Sequence, residues 1–399
     1  MMWNLVDFVR CVCVVCVVFL SALCGDTATA TQAPGRDEPP PAGHLKPLGW
    51  HRPAEPDVDT VNSVPEPQEF FEKYVRHGRP LLMKGAAKNM AAFKLWKDDY
   101  LRSQHGDLEV EVEEGKKENR SRGLWSMKLH EFLDEYGQGD IYMVSSVLPE
   151  LAGEVELLRC MHCGGFTEHL QDAVIWFSSG STKSVLHYDA VDNINCVLDG
   201  KKEIFLVDKR EKENIDIDHP DGSFSGVDVD RVDMYKYPGL GQVPWYNVTM
   251  EPSDCFFIPY RWYHQVRSLQ GRNLAINIWF VHLLQFIADD CRSKGDIPDF
   301  TPLEQFQFTT DIEQLRGEIA NCIDELENGY LDRPNLLEFA NCLDISEGDS
   351  LMVFQLLDED QDERVTLSEV YSFNMMTIQS LLPDLISTHS STEELHDEL

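Results

Sequence analysis

Alternating apolar and polar positions predict strands through the middle of the chain. Leu108-Glu-Val-Glu-Val alternates with period two, as a strand buried on one face does. Between Ile141 and Trp279, short apolar runs are separated by Gly, Pro, Asp and Asn, which favour turns. These runs are IYMVSSV, AVIWFSS, NINCVLD, KEIFLVD, CFFIPY and LAINIWF. Many short strands with such breaks predict a mainly β, double-sheet barrel of the jelly-roll kind.

Helical patterns flank this β segment on both sides. Residues 67–75 and 91–101 have helical spacing before it, and Arg79-Pro-Leu-Leu-Met-Lys-Gly reads as a strand after a turn. After Val281 the helical patterns take over and no further strand is predicted. We therefore expect one domain over residues 57–288, a boundary near Asp289–Asp299, and an all-α region over residues 300–385.

The two ends of the chain resemble targeting signals. An apolar run from Cys11 to Leu23, preceded by Arg10, predicts a signal peptide over residues 1–25, with an uncleaved anchor as the alternative. Residues 26–56 are rich in Pro, Ala, Gly and Thr, which predicts a disordered linker. A tail over residues 386–399 ends in His-Asp-Glu-Leu, the tetrapeptide that the retrieval receptor for lumenal proteins binds. The expected location is the endoplasmic reticulum lumen, with no membrane span after signal cleavage.

The composition narrows the choice of partners. A formal net charge of −35 repels phosphate backbones, so we expect no nucleic-acid partner. Seven cysteines follow the signal segment, and an odd number leaves at least one thiol unpaired within the chain. For Cys160-x-x-Cys163 we expect a local disulfide or two plain thiols rather than redox catalysis. Asn119 and Asn247 begin sequons and are glycosylation candidates if they are exposed in the lumen.

A metal site is predicted from three residues of the β segment. His187-x-Asp189 on a strand would place both side chains on one face, because strand side chains alternate with period two. His264, in the run Ile258-Pro-Tyr-Arg-Trp-Tyr-His264, could complete the set from a distant strand. Two imidazoles and one carboxylate on one face of Fe(II) leave positions open for a cosubstrate and oxygen.

Iron sites of this kind that use 2-oxoglutarate also need a cation for that cosubstrate, and a nearby lysine can supply it. The cosubstrate 2-oxoglutarate would chelate the iron, and its far carboxylate would need a cation inside the barrel. Lys202 follows the Asp199-Gly200 turn at the start of the next strand and can supply it. Ser184 would lie on the opposite face of a regular strand, so a role for its hydroxyl requires a bend.

The segment from about Val61 to Phe286 resembles the small JmjC-domain hydroxylases, most closely the group that includes the asparaginyl hydroxylase of hypoxia-inducible factor. The resemblance is carried by His187-Tyr-Asp189, Asn193, the Gly-Lys-Lys hairpin, the run that ends in His264, and Asn277-Ile-Trp. It implies a double-stranded β-helix of the cupin kind. It also implies that His187, Asp189 and His264 bind iron, and that Lys202 binds 2-oxoglutarate, aided by further residues. These are Ser184, Tyr142, Asn193 and Asn277.

The resemblance also implies a reaction. Members of the family are histone demethylases or protein hydroxylases, and the predicted lumenal address favours hydroxylation of a protein substrate in the secretory pathway. The alternative from another class is a calcium-binding lumenal protein whose barrel serves as a non-catalytic binding module. An intact set of His187, Asp189, His264 and Lys202 favours the enzyme, since a scaffold has no need of it.

A calcium site is predicted near the C-terminus. Residues 358–369 follow the EF-hand loop, with Asp358, Asp360 and Asp362 at positions 1, 3 and 5. Glu363 stands at position 6, where Gly is usual, so the affinity is expected to be reduced. The remaining ligands would be the Arg364 backbone carbonyl, Thr366 and Glu369. The alternative is an acidic loop that binds no ion.

EF-hands occur in pairs, so a second loop is expected upstream. The loop that starts at Asp324 has Gly329 at position 6, but Leu326 at position 3 and Asn335 at position 12 cannot serve as the usual ligands. It is predicted to be a degenerate, empty partner of the Asp358 loop.

Overall fold

A computed structural model describes residues 39–116, 124–219 and 223–382. The predicted signal peptide, residues 26–38 of the predicted linker, Asn119 and the C-terminal tail lie outside these residues. The chain divides into Met1–Pro40 and Pro41–Leu399.

The main sheet has nine strands, in the order β1-β2-β11-β8-β13-β7-β5-β3-β4. Neighbouring strands are antiparallel except for β1 and β2, which pair in parallel. These strands are β1 Asp59–Val61, β2 Leu81–Met83, β3 Glu109–Glu114, β4 Trp125–Lys128, β5 Ile141–Ser146, β7 Leu170–Ser178, β8 Asp192–Asp199, β11 Cys255–Ile258 and β13 Asn273–Phe280.

A second sheet of three antiparallel strands has the order β10-β9-β12. Its strands are β9 Lys202–Val207, β10 Tyr246–Met250 and β12 Tyr263–Ser268. The chain passes from β8 of the main sheet to β9 through a turn in which Gly200 has a φ of 73°. This is a left-handed conformation that glycine adopts without strain, so the turn chemistry of the sequence delivers Lys202 to the second sheet.

Side chains of β8 alternate between two environments. Ile194, Cys196 and Leu198 belong to the core on the outer face of the main sheet. Val197 packs instead with Ile204 and other apolar side chains of the second sheet. The period-two alternation therefore assigns one face of β8 to the outer core and the other to the space between the sheets, where the candidate site lies.

Short helices cover the outer face of the main sheet. They contribute buried side chains such as Phe70, Leu101 and Phe132 to the same core as the strands. Their bounds are α1 Pro67–Phe70, which continues as a π-helical turn over Phe71–Val75, α2 Ala91–Leu95, α3 Asp98–His105 and α4 Leu129–Glu135. The predicted helix over residues 91–101 is thus two helices, broken near Trp96.

The predicted linker over residues 26–56 is wrong for its second half. Leu45 and Leu48 donate backbone hydrogen bonds to the carbonyls of Val232 and Val229, at 2.8 and 2.9 Å. The Leu48 side chain is buried. Pro- and Gly-rich sequence forms turns as readily as linkers, and here the apolar side chain between them anchors the turns to the body.

The boundary at residue 288 also requires correction. Helix α5, Ala288–Lys294, follows β13, and strand β14, Phe300–Pro302, then pairs with β6, Glu156–Leu158. Leu303 is buried in the main core. The β body therefore continues to about residue 306, and the expectation that no strand follows Val281 is wrong.

The C-terminal region is helical and has its own core. Leu315, Ile319, Phe339, Phe354 and other apolar side chains form it. An isolated bridge between Leu331 and Val365 is the only β pairing in the described part of this region. The helices are α6 Asp311–Asp324, α7 Leu336–Cys342, α8 Glu347–Leu357, α9 Leu367–Ser372 and α10 Met376–Leu381.

Three disulfides link the cysteines of the described residues. They join Cys163 to Cys291, Cys196 to Cys255, and Cys322 to Cys342. Cys160 is buried with a free thiol, and burial raises the pKa of that thiol. For Cys160-x-x-Cys163 we expected a local disulfide or two plain thiols. Cys160 is a plain thiol, but the expectation for Cys163 is wrong, because it pairs with the distant Cys291. Among the described residues, no helix is both long and apolar enough to span a membrane.

Candidate active site

A cavity of about 70 Å³ lies between the two sheets. His187, Asp189 and His264 line it, as does Lys202. Residues from distant parts of the chain therefore line one cavity, as the sequence predicted.

The imidazoles of His187 and His264 are brought together by a pair of backbone hydrogen bonds. Each residue donates its N–H to the carbonyl of the other, at 3.0 and 2.7 Å. Asp189 Oδ1 lies 3.7 Å from His187 Nε2, and Asp189 Oδ2 lies 3.6 Å from His264 Nε2. The three ligand atoms lie within 4.8 Å of one another. Such a cluster can hold one metal ion from a single side.

The second ring nitrogen of each histidine contacts a backbone carbonyl. His187 Nδ1 lies 3.0 Å from the carbonyl oxygen of Val185, and His264 Nδ1 lies 3.0 Å from that of Trp262. A carbonyl accepts only, so each Nδ1 carries a proton and each Nε2 presents its lone pair. This is the tautomer and orientation that a metal ligand requires.

His187 and Asp189 do not lie on a regular strand. His187 forms isolated bridges to Phe224 and His264, and Asp189 lies in the loop that follows. The reason given for their shared orientation was therefore wrong, although the two side chains do meet. Asn193 holds the carboxylate in place, because its Nδ2 donates to Asp189 Oδ2 at 3.3 Å.

Lys202 supplies a buried cation without a counterion among the described residues. Its side chain is 5% exposed and donates a hydrogen bond to Ser268 Oγ at 3.2 Å. Desolvation lowers the pKa of this lysine to about 8. A buried ammonium with only a neutral partner is costly by itself and favours an anionic ligand. Sequence reasoning missed Ser268, although it faces Lys202 across β9 and β12.

The strand register gives the length of the cavity. His264 faces Leu206, and Ser268 faces Lys202, four residues along the same pair of strands. Four residues correspond to about 13 Å along a strand. The lysine side chain extends from one end of this stretch, so the separation between its ammonium group and the histidines differs from the separation along the strands.

Ser184 and Tyr142 both line the cavity. The irregular backbone of residues 181–189 satisfies the condition for Ser184 to face inward. Its hydroxyl donates to the Val185 carbonyl at 3.0 Å and accepts from the Val266 N–H at 2.9 Å. The Tyr142 hydroxyl donates to Glu113. A cosubstrate role for either hydroxyl stays a prediction.

Asparagine side chains form another wall of the cavity. Asn193 and Asn277 lie there as expected, and Asn195 donates a hydrogen bond to Asn277 Oδ1. Asn195 was missed, although it lies two residues after Asn193 on β8 and period two places both on one face. Within the described residues, the oxygen atoms Asn193 Oδ1 and Asn195 Oδ1 are buried without a hydrogen-bond partner. Such groups fit a polar ligand better than an apolar one.

The chain belongs to the cupin-like domain family. Residues 67–285, more than half of the chain, match that family. The sheets and the family match together define a cupin/JmjC fold, and JmjC members of the family use Fe(II) and 2-oxoglutarate. The donor set of two imidazoles and a carboxylate fits iron, and the buried lysine fits the far carboxylate of the cosubstrate.

Individual relatives share about a quarter of their aligned residues with this chain. The chain is 26% identical over 239 residues to Jumonji C domain-containing protein 5 of Drosophila melanogaster, covering 54% of this chain and 58% of that protein. It is 25% identical to lysine-specific demethylase 8 of Xenopus tropicalis, covering 56% and 54%. It is 23% identical to the human bifunctional peptidase and (3S)-lysyl hydroxylase JMJD7, covering 56% and 84%.

The chain thus spans just over half the length of the first two of these relatives. Among solved structures, Escherichia coli YcfD matches with a TM-score of 0.36 and 14% identity, over 53% of this chain and 52% of that one.

The predicted calcium ligands also cluster. Carboxylate oxygens of Asp358, Asp360 and Asp362 lie within 4.8 Å of one another. Asp358 Oδ1 and Glu369 Oε1, at loop positions 1 and 12, are buried without a hydrogen-bond partner among the described residues. Glu363 has a φ of 65°, the conformation expected at position 6.

The other two predicted ligands lie in the same loop. The Thr366 hydroxyl donates to Glu369 Oε2 at 2.9 Å, and Arg364 donates its N–H to Asp362 Oδ1 at 2.8 Å. The Glu369 contact fixes one carboxylate oxygen and leaves the other for a ligand.

The upstream loop pairs with the Asp358 loop, but its residues at positions 3 and 12 make contacts within the protein instead of facing an ion site. Leu331 and Val365, at position 8 of each loop, exchange backbone hydrogen bonds at 2.9 and 2.8 Å. Leu326 is buried in the helical core, and Asn335 Oδ1 accepts from the Asp332 N–H at 2.8 Å. Positions 3 and 12 of this loop are thus engaged within the protein.

Proposed function

We propose that this chain is an Fe(II)- and 2-oxoglutarate-dependent oxygenase that hydroxylates a protein side chain. One observation carries the proposal. The cavity joins two histidines with backbone-fixed tautomers and an aspartate to a buried lysine that has no counterion in the described part of the chain. A binding module has no physical need to bury such a cation.

Several residues of the cavity have separate tasks in this function. When bound, iron and 2-oxoglutarate would together activate oxygen, with succinate and carbon dioxide as products and one oxygen atom entering a substrate C–H bond. His187, Asp189 and His264 would hold the metal, and the hydrogen bond from Asn193 would keep the Asp189 carboxylate oriented for this role. Lys202 orients the cosubstrate from the far end. The apolar rings of Trp176 and Trp279 line the cavity and limit the access of water.

A protein substrate is favoured over a nucleic acid by charge. The relatives include proteins named for demethylation of lysine, for lysyl hydroxylation and for tRNA wybutosine synthesis. A chain with a net charge of −35 repels phosphate backbones, which disfavours the last of these substrates.

Succinate formation tests the proposal directly. The purified protein should convert 2-oxoglutarate to succinate in the presence of Fe(II) and ascorbate, at least slowly without the protein substrate. The double variant His187→Ala/Asp189→Ala should lose both metal binding and turnover, because only one ligand remains. Equal succinate formation by the double variant would refute the enzyme hypothesis.

We further propose that the protein works in the lumen of the endoplasmic reticulum, retained by the receptor that binds its last four residues. The apolar segment near the N-terminus and the final His-Asp-Glu-Leu support this location. Fluorescence microscopy of the full chain, with and without the last four residues, would test it. Secretion of the truncated chain alone is the expected result, whereas a cytosolic signal for both would contradict the proposal.

Calcium binding by the helical region is proposed as a second function. The supporting observation is that Asp358 Oδ1 and Glu369 Oε1 are buried without partners within the described residues, at opposite ends of one acidic loop. Two desolvated carboxylate oxygens, in a loop that also carries Asp360 and Asp362, are costly unless a cation binds. The paired but internally bonded upstream loop supports one ion rather than two.

A further inference from the structure

The turn between β11 and β12 carries an arginine in a strained conformation next to the proposed metal ligands. Arg261 has a φ of 60°, which only glycine adopts readily. Its backbone N–H donates to the carbonyl of Asp189 at 2.9 Å. The preceding residue, Tyr260, donates its N–H to Asp192 Oδ1 at 2.8 Å. The turn thus fixes the backbone of one proposed ligand and lies three residues before another, His264.

The side chain of Arg261 extends in the other direction, into the helical region. Its Nη1 donates to Glu325 Oε2 at 2.9 Å, and its Nη2 donates to the Cys342 carbonyl at 3.1 Å. Lys209 donates to the other carboxylate oxygen of Glu325 at 2.8 Å. One guanidinium therefore connects the ligand-bearing turn to two points of the helical region.

The surface of the helical region that Arg261 contacts is anchored by a disulfide and by the helical core. Cys322 and Cys342 are joined by a disulfide, and Leu326, next to Glu325, is buried in the helical core. Burial alone would raise the pKa of Glu325, but the charges of Arg261 and Lys209 hold it below its usual value. The carboxylate therefore stays ionised, and the charge-assisted hydrogen bonds are retained around neutral pH.

We infer that Arg261 is a positioning residue through which the helical region holds the metal site in its binding geometry. The inference rests on the proposed function, because it assigns a metal to His187, Asp189 and His264. A glycine would form this turn without strain, so the arginine must contribute something that glycine lacks. Its forked guanidinium is that contribution, since it satisfies a carboxylate and a carbonyl together.

Metal titration of the full-length protein tests the inference without relying on turnover. Co(II) serves as the probe, and its visible absorption reports the geometry of the ligands. Arg261→Gln and Glu325→Gln should each weaken Co(II) binding about five- to tenfold, the low end of typical coupling factors between sites. The double variant should lose little more than either single variant, because both changes break the same link. Arg261→Lys should restore part of the affinity.

Arg210→Gln is the matched control. Arg210 lines the same groove between the β body and the helical region, but its guanidinium bonds to Asp208 beside it in the chain. Its Co(II) affinity should stay within about twofold of the wild type. Glu325→Gln breaks the same contact without changing the turn itself, because Glu325 belongs to the helical region. A loss of affinity in this variant therefore cannot be attributed to misfolding of the turn.

The outcomes separate the inference from the proposed function. A wild-type protein that binds no Co(II) at His187 would overturn the proposed function, and the inference with it. A wild-type protein that binds Co(II), with unchanged affinity and spectrum in both Arg261→Gln and Glu325→Gln, would overturn the inference alone. Independent, additive losses in the double variant would also contradict it.

Discussion

The ammonium nitrogen of Lys202 lies 3.2 Å from the hydroxyl oxygen of Ser268, across the paired strands β9 and β12. Ser268 is neutral, so it relieves little of the cost of burying a charge. Burial accordingly lowers the pKa of Lys202 to about 8. The protein tolerates this cost at a position that faces the proposed metal ligands along one cavity.

Replacing Lys202 should therefore have opposite effects on stability and on cosubstrate binding. Lys202→Met keeps the volume and removes the buried charge, so the free energy of unfolding without 2-oxoglutarate should rise by about 1–4 kcal/mol. The affinity for 2-oxoglutarate should fall steeply, with a loss of binding free energy on the order of 2–4 kcal/mol. Denaturant unfolding and succinate assays measure the two effects.

Lys201→Met is the control for this pair of measurements. Lys201 is exposed and pairs with Glu251 at the surface, so its replacement should change neither quantity much. If Lys202→Met destabilises the protein and leaves the 2-oxoglutarate requirement unchanged, the lysine is structural and the anchor lies elsewhere.

The pKa of Lys202 predicts a pH dependence with a defined sign. Its folded pKa, about 8, lies below the unfolded value of 10.5, so the unfolded chain binds more protons between these values. The free energy of unfolding contributed by this group should therefore rise as the pH increases from about 8 to 10.5. The affinity for 2-oxoglutarate should fall over the same range, since the cation is lost. Calorimetry at pH 7 and pH 9 checks this, and Lys202→Met should abolish the difference.

The sequence predicted the site better than the backbone that carries it. The side chains of His187, Asp189, His264 and Lys202 do line one cavity, as the motifs and the family resemblance predicted. The strand proposed for His187 and Asp189 was wrong, since that segment is held by isolated bridges to Phe224 and His264. Such contacts join positions far apart in the chain and leave no periodic signal.

Long-range packing accounts for the other errors. Strand β14 is three residues long, and only its pairing with β6 identifies it. Cys163 pairs with Cys291 across a separation of 128 residues, which the Cys-x-x-Cys spacing could not reveal. Asn195 could have been found, because it shares the face of Asn193 on β8.

Asn247 provides a test of passage through the secretory pathway. It lies on β10, an outer strand of the three-stranded sheet, and both Asn247 and Thr249 are exposed. If the chain enters the lumen, we expect an N-linked glycan at Asn247. Glycosidase treatment should then reduce the mass of the protein, and Asn247→Gln should remove this part of the shift.

Two variants of Thr249 sharpen the glycosylation test. Thr249→Ser preserves the sequon and should retain the glycan, whereas Thr249→Ala should abolish it with a similarly small change at the surface. An unmodified Asn247 in protein isolated from the secretory pathway would contradict the prediction.

Calcium binding is the prediction most exposed to refutation. The Asp358 loop has three clustered carboxylates, but Glu363 adopts a positive φ and the upstream loop is bonded internally. We therefore expect one ion per chain, with a dissociation constant of roughly 10⁻⁵ to 10⁻³ M. Saturation to about one hundred times this constant should stabilise the helical region by about 2.7 kcal/mol. Glu369→Gln should abolish binding, because the residue at position 12 normally gives both carboxylate oxygens to the ion.

Glu359→Gln is the control, because position 2 of the loop supplies no ligand and the substitution removes the same charge. Isothermal titration calorimetry separates the cases. Two ions per chain, or binding that survives Glu369→Gln, would refute the assignment. Equal weakening by Glu359→Gln and Glu369→Gln would mean that the loop attracts calcium only through its net charge, without a coordinated site.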